Sequence, residues 1–145
     1  MQPYALWIPV KNEESTIEHV LKNALEQDNP PVRIYVCVNG STDHTSVVVQ
    51  NFAFRCHRVI PLISEPWKAN AWNSIISQSI QDGLFWDVMV FCDGDICIPS
   101  KSTLWTLVQC TRESTNIMLG ASTIQLPSQG QSHMNLVARP DSFIV

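Results

Sequence analysis

Short apolar runs rich in β-branched residues alternate along this chain with segments whose apolar residues recur at helical spacing. Strands buried on both faces read as unbroken apolar runs, so their alternation with amphipathic helices predicts βα units and a largely parallel sheet covered on both sides. Ala5 to Val10 is the first such run, and Lys11-Asn12-Glu13-Glu14 carries it out into a polar loop. Ile17, Val20, Leu21, Ala24 and Leu25 then keep helical spacing, and Ser15 with Glu18 predicts a capping box ahead of them. In the second unit Asn29-Pro30-Pro31 breaks the helix and Val32 to Val38 predicts a strand. Asn39-Gly40-Ser41-Thr42-Asp43 then turns into a helix running through about Phe52, with Thr42 or Asp43 as its N-cap. A third strand is expected over Val59 to Ile63, followed by a helix striped with Ala71, Trp72, Ile75, Ile76 and Ile80. Val88 to Cys92 predicts a fourth strand ending at Asp93. Leu104, Leu107 and Val108 mark one more helix after Pro99-Ser100, and Ile117 to Gly120 predicts a fifth strand. From Ser122 onward the pattern fades into Pro, Ser, Gln and Gly, which predicts an irregular tail over 123–145 after a domain over 1–122.

Composition narrows the function classes. A chain of 145 residues, 45% hydrophobic and 15% charged, fits one globular domain able to bury about two-thirds of its unfolded surface. The net charge of −4, without a cluster of Lys or Arg, lacks the electrostatic footprint of a nucleic-acid binder. The five cysteines are odd in number and include no CxxC pair, so they read as reduced core residues of a cytoplasmic protein. No apolar stretch approaches the length that spans a bilayer, and the Met1-Gln2-Pro3-Tyr4 start has no basic n-region. Peripheral association with the cytoplasmic face of a membrane stays open.

In parallel sheets ligands bind at the carboxyl ends of the strands, where loops expose backbone amides and helix N-termini that favour anions. The polar residues collect at those ends: Lys11, Asn12 and Glu13, then Asn39 to Asp43, then Glu65 to Asn70, then Asp93-Gly94-Asp95. The last group is the sharpest. Alternate carboxylates bracketing a glycine can turn two hard oxygen ligands toward one point and leave room for phosphate, which suits Mg²⁺ or Mn²⁺. An isolated tripeptide of this kind is more often a solvated turn. An EF-hand is excluded, because Cys97, Ile98 and Leu104 stand where that loop needs a ligand, a glycine and a closing acid. Lys68 and His44, taken singly, read as solvated side chains. Trp67 and Trp72 read as packing, although an indole near a strand end can also floor a sugar or a base.

Together these residues resemble glycosyltransferase family 2, the inverting enzymes of the GT-A fold. Ile8-Pro9-Val10-Lys11-Asn12-Glu13-Glu14 resembles the family's opening IPxYNEE, and Asn39-Gly40-Ser41-Thr42-Asp43-His44-Thr45 its DGSTDxT. Lys68-Ala69-Asn70-Ala71-Trp72-Asn73 resembles its KGxAxN, and Asp93-Gly94-Asp95 its DxD. The likeness covers about residues 4 to 122, with each motif at the end of an expected strand. It implies a Rossmann-like nucleotide-binding sheet and a UDP- or GDP-sugar as donor, transferred to the hydroxyl of a sugar, lipid or other acceptor. Pro9, Lys11, Asn12, Glu13 and Asn39 would hold the base and ribose, with Lys68 nearby. Asp93 would face the ribose or the metal, and Asp95 would be the principal metal ligand.

Two departures from the family pattern bear on specificity. Val38 and Asn39 stand where the family usually has two acids, one of which contacts uracil. An amide presents both a hydrogen-bond donor and an acceptor, so uridine is not singled out. Lys11 also replaces the usual tyrosine and removes a stacking surface. In the family a second half supplies the acceptor site and the acidic general base. Here Asp141 is the one acid beyond Glu113, which leads to the expectation of a donor-binding half whose acceptor half is missing. A non-catalytic nucleotide-sugar-binding module is the competing reading. Nucleotidyl transfer onto a sugar phosphate fits less well, because Pro9 to Glu14 is neither glycine-rich nor basic.

Overall fold

Four strands form one parallel sheet in the computed structural model, which describes residues 3–83, 88–113, 123–125 and 136–137. They are β1 (Ala5–Val10), β2 (Arg33–Asn39), β3 (Val59–Ser64) and β4 (Met89–Phe91), in the spatial order β3-β2-β1-β4. The chain therefore builds outward from β1 to β3 and then returns to lay β4 on the free side of β1. The order reverses between β1 and β4. Loops leaving neighbouring strands at such a reversal diverge and open a crevice, the usual ligand position in α/β sheets.

Because side chains alternate across a strand, the central strands supply two cores. Leu6, Ile8 and Val10 of β1 and Ile34, Val36 and Val38 of β2 share one face. That face packs on Ile17, Val20, Leu21 and Ala24 of α1 (Ile17–Leu25), on Val49 and Phe52 of α2 (Thr45–Arg55), and on Leu104 and Val108 of α4 (Thr103–Glu113). Ala5, Trp7, Tyr35 and Cys37 point the other way, onto Ala71 and Ile75 of α3 (Lys68–Gln81). Each fully buried aliphatic side chain here contributes about 1.5–3 kcal/mol by leaving water. The expected α/β architecture, with helices on both faces, is the one observed.

Several local expectations are corrected. The capping box does not form: Thr16, one residue later than Ser15, is the N-cap of α1. With Thr16 as cap, Glu18 is the second helical residue rather than the third that a capping box needs, and its carboxylate pairs with Lys22 at 2.9 Å. The α3 stripe is narrower than its sequence suggests, since Ala71 and Ile75 are buried while Ile76 and Ile80 lie exposed. A helix packed on a flat sheet buries one narrow face, and these two residues fall outside it. Of the five free cysteines only Cys37 is fully buried, and Cys110 is exposed. The described residues within 123–145 are β6 (Thr123–Gln125) and β7 (Leu136–Val137), which join β5 (Ile96–Cys97) in a small antiparallel sheet. Strands of two or three residues are too short to leave a periodic signature. The strand expected at 117–120 lies outside the described residues.

Candidate functional site

At the carboxyl end of β1 the chain turns through Asn12, whose φ of 56° lies in the left-handed region. Asparagine tolerates that conformation better than most residues. The turn directs the loop after β1 against the loop after β2, and hydrogen bonds join them. Asn12 N–H donates to Ser41 Oγ at 3.0 Å, and Thr42 N–H donates to Asn12 Oδ1 at 2.8 Å. Glu13 N–H donates to Thr45 Oγ1 at 2.8 Å, and Glu14 N–H to Asp43 Oδ2 at 3.2 Å. His44 N–H in turn donates to Glu14 Oε2 at 2.7 Å. The two motifs thus form one ledge. Asp43 also takes over the capping expected of it, because its Oδ1 accepts the Thr45 N–H at 3.0 Å although His44 is the N-cap by position.

The loop after β3 closes over this ledge. Gly40 has a φ of +69°, and a Cβ there would lie 2.8 Å from Pro66 Cγ, so only glycine lets the loops meet. Asn70 Nδ2 donates to the Pro66 carbonyl at 2.7 Å and holds the loop down. Trp67 follows with φ 92° and a side chain 78% exposed, a conformation that a bulky residue rarely adopts. Lys68, the first residue of α3, reaches across to the loop after β4, where its Nζ lies 2.5 Å from Asp93 Oδ1.

The Asp93-Gly94-Asp95 turn is seated on the loop after β1. A Cβ at Gly94 would lie 2.6 Å from Val10 Cγ1 and 3.3 Å from Glu13 Cγ. The missing side chain is therefore filled by those neighbours. Thr16 Oγ1 lies 3.0 Å from the Gly94 carbonyl oxygen and 2.8 Å from Glu13 Oε2, linking the turn to the start of α1. Burial pushes the Glu13 carboxyl above its usual range; the Thr16 hydrogen bond opposes this, and the nearby charges of Asp95, Asp43 and Asp93 add to it. Acids from three loops thus share one negative field, which favours a cation. Among the described residues no cluster of three or more His, Cys, Asp or Glu is arranged to hold a metal. Two carboxylates nevertheless fit a hard divalent ion that completes its shell with water or phosphate oxygens.

The remaining expected site residues divide. Pro9 lies inside β1, opposite Cys37, with its side chain buried, so it can offer only backbone to a ligand. Lys11 is exposed on the first loop. Asn39 ends β2 opposite Ser64 and is 5% exposed, at the floor of the ledge. Trp72 packs edge-on against Phe91, with ring centroids 4.8 Å apart, and serves the core. Thr16 was not legible as part of this constellation, since a hydroxyl residue beside a helix start ordinarily signals capping.

The sequence pattern of glycosyl transferase family 2 matches residues 6–124. The chain belongs to that family. Its fold is likewise that of the GT-A glycosyltransferases. A mannosyltransferase from Pyrobaculum calidifontis, solved with GDP-Man and Mn²⁺, superposes with a TM-score of 0.66 at 26% identity over 79% of this chain and 34% of its own. Glucosyl-3-phosphoglycerate synthase from Mycobacterium tuberculosis, solved with Mn²⁺, UDP and phosphoglyceric acid, gives a TM-score of 0.57 at 24% identity over 79% of this chain and 40% of its own. TarS from S. aureus, solved with UDP-GlcNAc, gives 0.57 at 23% identity over 77% and 32%. No curated protein matches the chain. This family 2 chain therefore spans well under half the length of these structures.

Proposed function

We propose that this chain is the donor-binding half of a metal-dependent inverting glycosyltransferase that uses a UDP- or GDP-sugar. The observation that carries the reading is the meeting of Lys68 with Asp93 beside Asp95 and Glu13, at the point where the strand order reverses. Asp93 and Asp95 would hold Mg²⁺ or Mn²⁺, whose role when bound is to neutralise the departing diphosphate. Around it the chain's own residues bind and orient. Lys68 supplies a mobile positive charge for phosphate oxygens, and the ledge of Asn12, Glu13 and Asn39 offers backbone and amide groups to base and ribose. Support comes from the family membership and from solved relatives of the same fold that carry nucleotide sugars and divalent metal.

Calorimetry with UDP and with GDP in the presence of Mn²⁺ tests the binding step. Heat with at least one nucleotide, abolished in Asp95→Ala, is expected; no heat with either, or heat unchanged in that variant, overturns the reading. Turnover of a labelled donor then separates a transferase from a binding module. A full-length protein that binds donor but neither transfers nor hydrolyses its sugar is a binding module.

A further inference from the structure

Thr16 stands at the N-cap of α1, yet its side chain makes no capping hydrogen bond. A threonine in this place ordinarily turns its oxygen onto the first amides of its own helix. Here the residue is buried, 4% exposed, and its hydroxyl turns the other way, onto the Gly94 carbonyl and the carboxyl and carbonyl of Glu13. Forgoing its cap, the hydroxyl shares its single hydrogen between Glu13, three residues back, and a carbonyl 78 residues away in sequence, and so the local rule yields to the site.

The contact falls on the peptide between Asp93 and Asp95. The Gly94 backbone is clamped on one side by Val10 and Glu13, which fill the space of its absent side chain, and its carbonyl meets Thr16 Oγ1. Rotation of that peptide would swing both carboxylates. We infer that Thr16 is a positioning residue for the metal-holding turn, acting through Gly94 and never touching the ion; this rests on the reading of Asp93 and Asp95 given above. Its hydroxyl fixes the Gly94 carbonyl and, through Glu13, the wall on which the turn is seated. The threonine methyl is dispensable to this role and the hydroxyl is not.

The test is Mn²⁺ binding to the full chain with UDP or GDP present, read as the loss of free-ion signal in electron paramagnetic resonance, in wild type, Thr16→Val and Thr16→Ser. Groups that orient metal ligands typically contribute 10–100-fold to affinity. Thr16→Val, which keeps the volume and loses the hydroxyl, is expected to bind about tenfold more weakly, whereas Thr16→Ser stays within about twofold of wild type. Wild-type affinity in Thr16→Val overturns the inference alone. Equal weakening in both variants, or a Thr16→Val chain that does not fold, also overturns it, because the residue would then hold structure rather than the turn. Wild-type protein that binds no Mn²⁺ with either nucleotide removes the underlying reading and the inference with it.

Discussion

Lys68 and Asp93 meet across the mouth of the sheet, Nζ to Oδ1 at 2.5 Å, although 25 residues separate them. Their side chains are 53% and 33% exposed, so the pair contributes little to stability, at most about 1 kcal/mol. On the function proposed above, its value is to place a cation beside the acids where a diphosphate would sit. Lys68→Met is expected to leave the unfolding midpoint nearly unchanged while weakening UDP or GDP binding about tenfold, in line with the loss of one charge-assisted contact. Thermal unfolding and calorimetry on the same preparation check both halves.

Gly94→Ala places a methyl 2.6 Å from Val10 Cγ1, a contact that cannot persist. Overpacking of this kind costs about 1–3 kcal/mol. Adding Val10→Ala opens the space, so the double variant is expected to lose less than the sum of the two single losses. Denaturant titration of the four species measures that coupling.

Asn12 serves twice, through its left-handed backbone and through the oxygen that accepts the Thr42 N–H. Asn12→Gly keeps the backbone and loses the acceptor, and about 1 kcal/mol of stability is expected to go with it. Asn12→Ala loses both and is expected to cost about 1 kcal/mol more. Equal losses in the two variants would show that φ at this position carries no weight.

Burial draws the Asp43 carboxyl upward, but hydrogen bonds from the Thr45 hydroxyl, the Thr45 N–H and the Glu14 N–H outweigh it and hold the group below its ordinary 3.8. A carboxyl held lower in the folded state than in the unfolded one stabilises above its ordinary value and loses that contribution as pH falls through the folded value. Asp43→Asn is therefore expected to unfold at a lower temperature than wild type at about pH 6. The gap should close as pH falls well below 3.8. A gap that stays constant with pH would remove the carboxylate from the account.

The first three βα units were legible because their signals are local. Ala5 to Val10 is apolar at every position, and the α1 stripe from Ile17 to Leu25 repeats at helical spacing, so the hydrophobic pattern alone specifies strand then helix. The strand-end motifs were legible for the same reason, each being contiguous. Helix boundaries were less so. Ser15 and Glu18 have the spacing of a capping box, and a one-residue shift to Thr16 decided against it.

Local sequence thus settled the order of strands and helices, and with it the end of the sheet at which polar chemistry gathers. Tertiary structure decided who meets whom. That Thr16 turns from its own helix to Gly94, that Pro66 presses on Gly40, and that Lys68 finds Asp93 are contacts between segments far apart in the chain. The Pro66 contact follows from β3 pairing with β2, and the other two from β4 pairing with β1 instead of β3, choices that no single segment encodes. The cause is physical: hydrophobic periodicity acts over neighbouring residues, whereas the meeting of loops depends on how whole strands are ordered in the sheet.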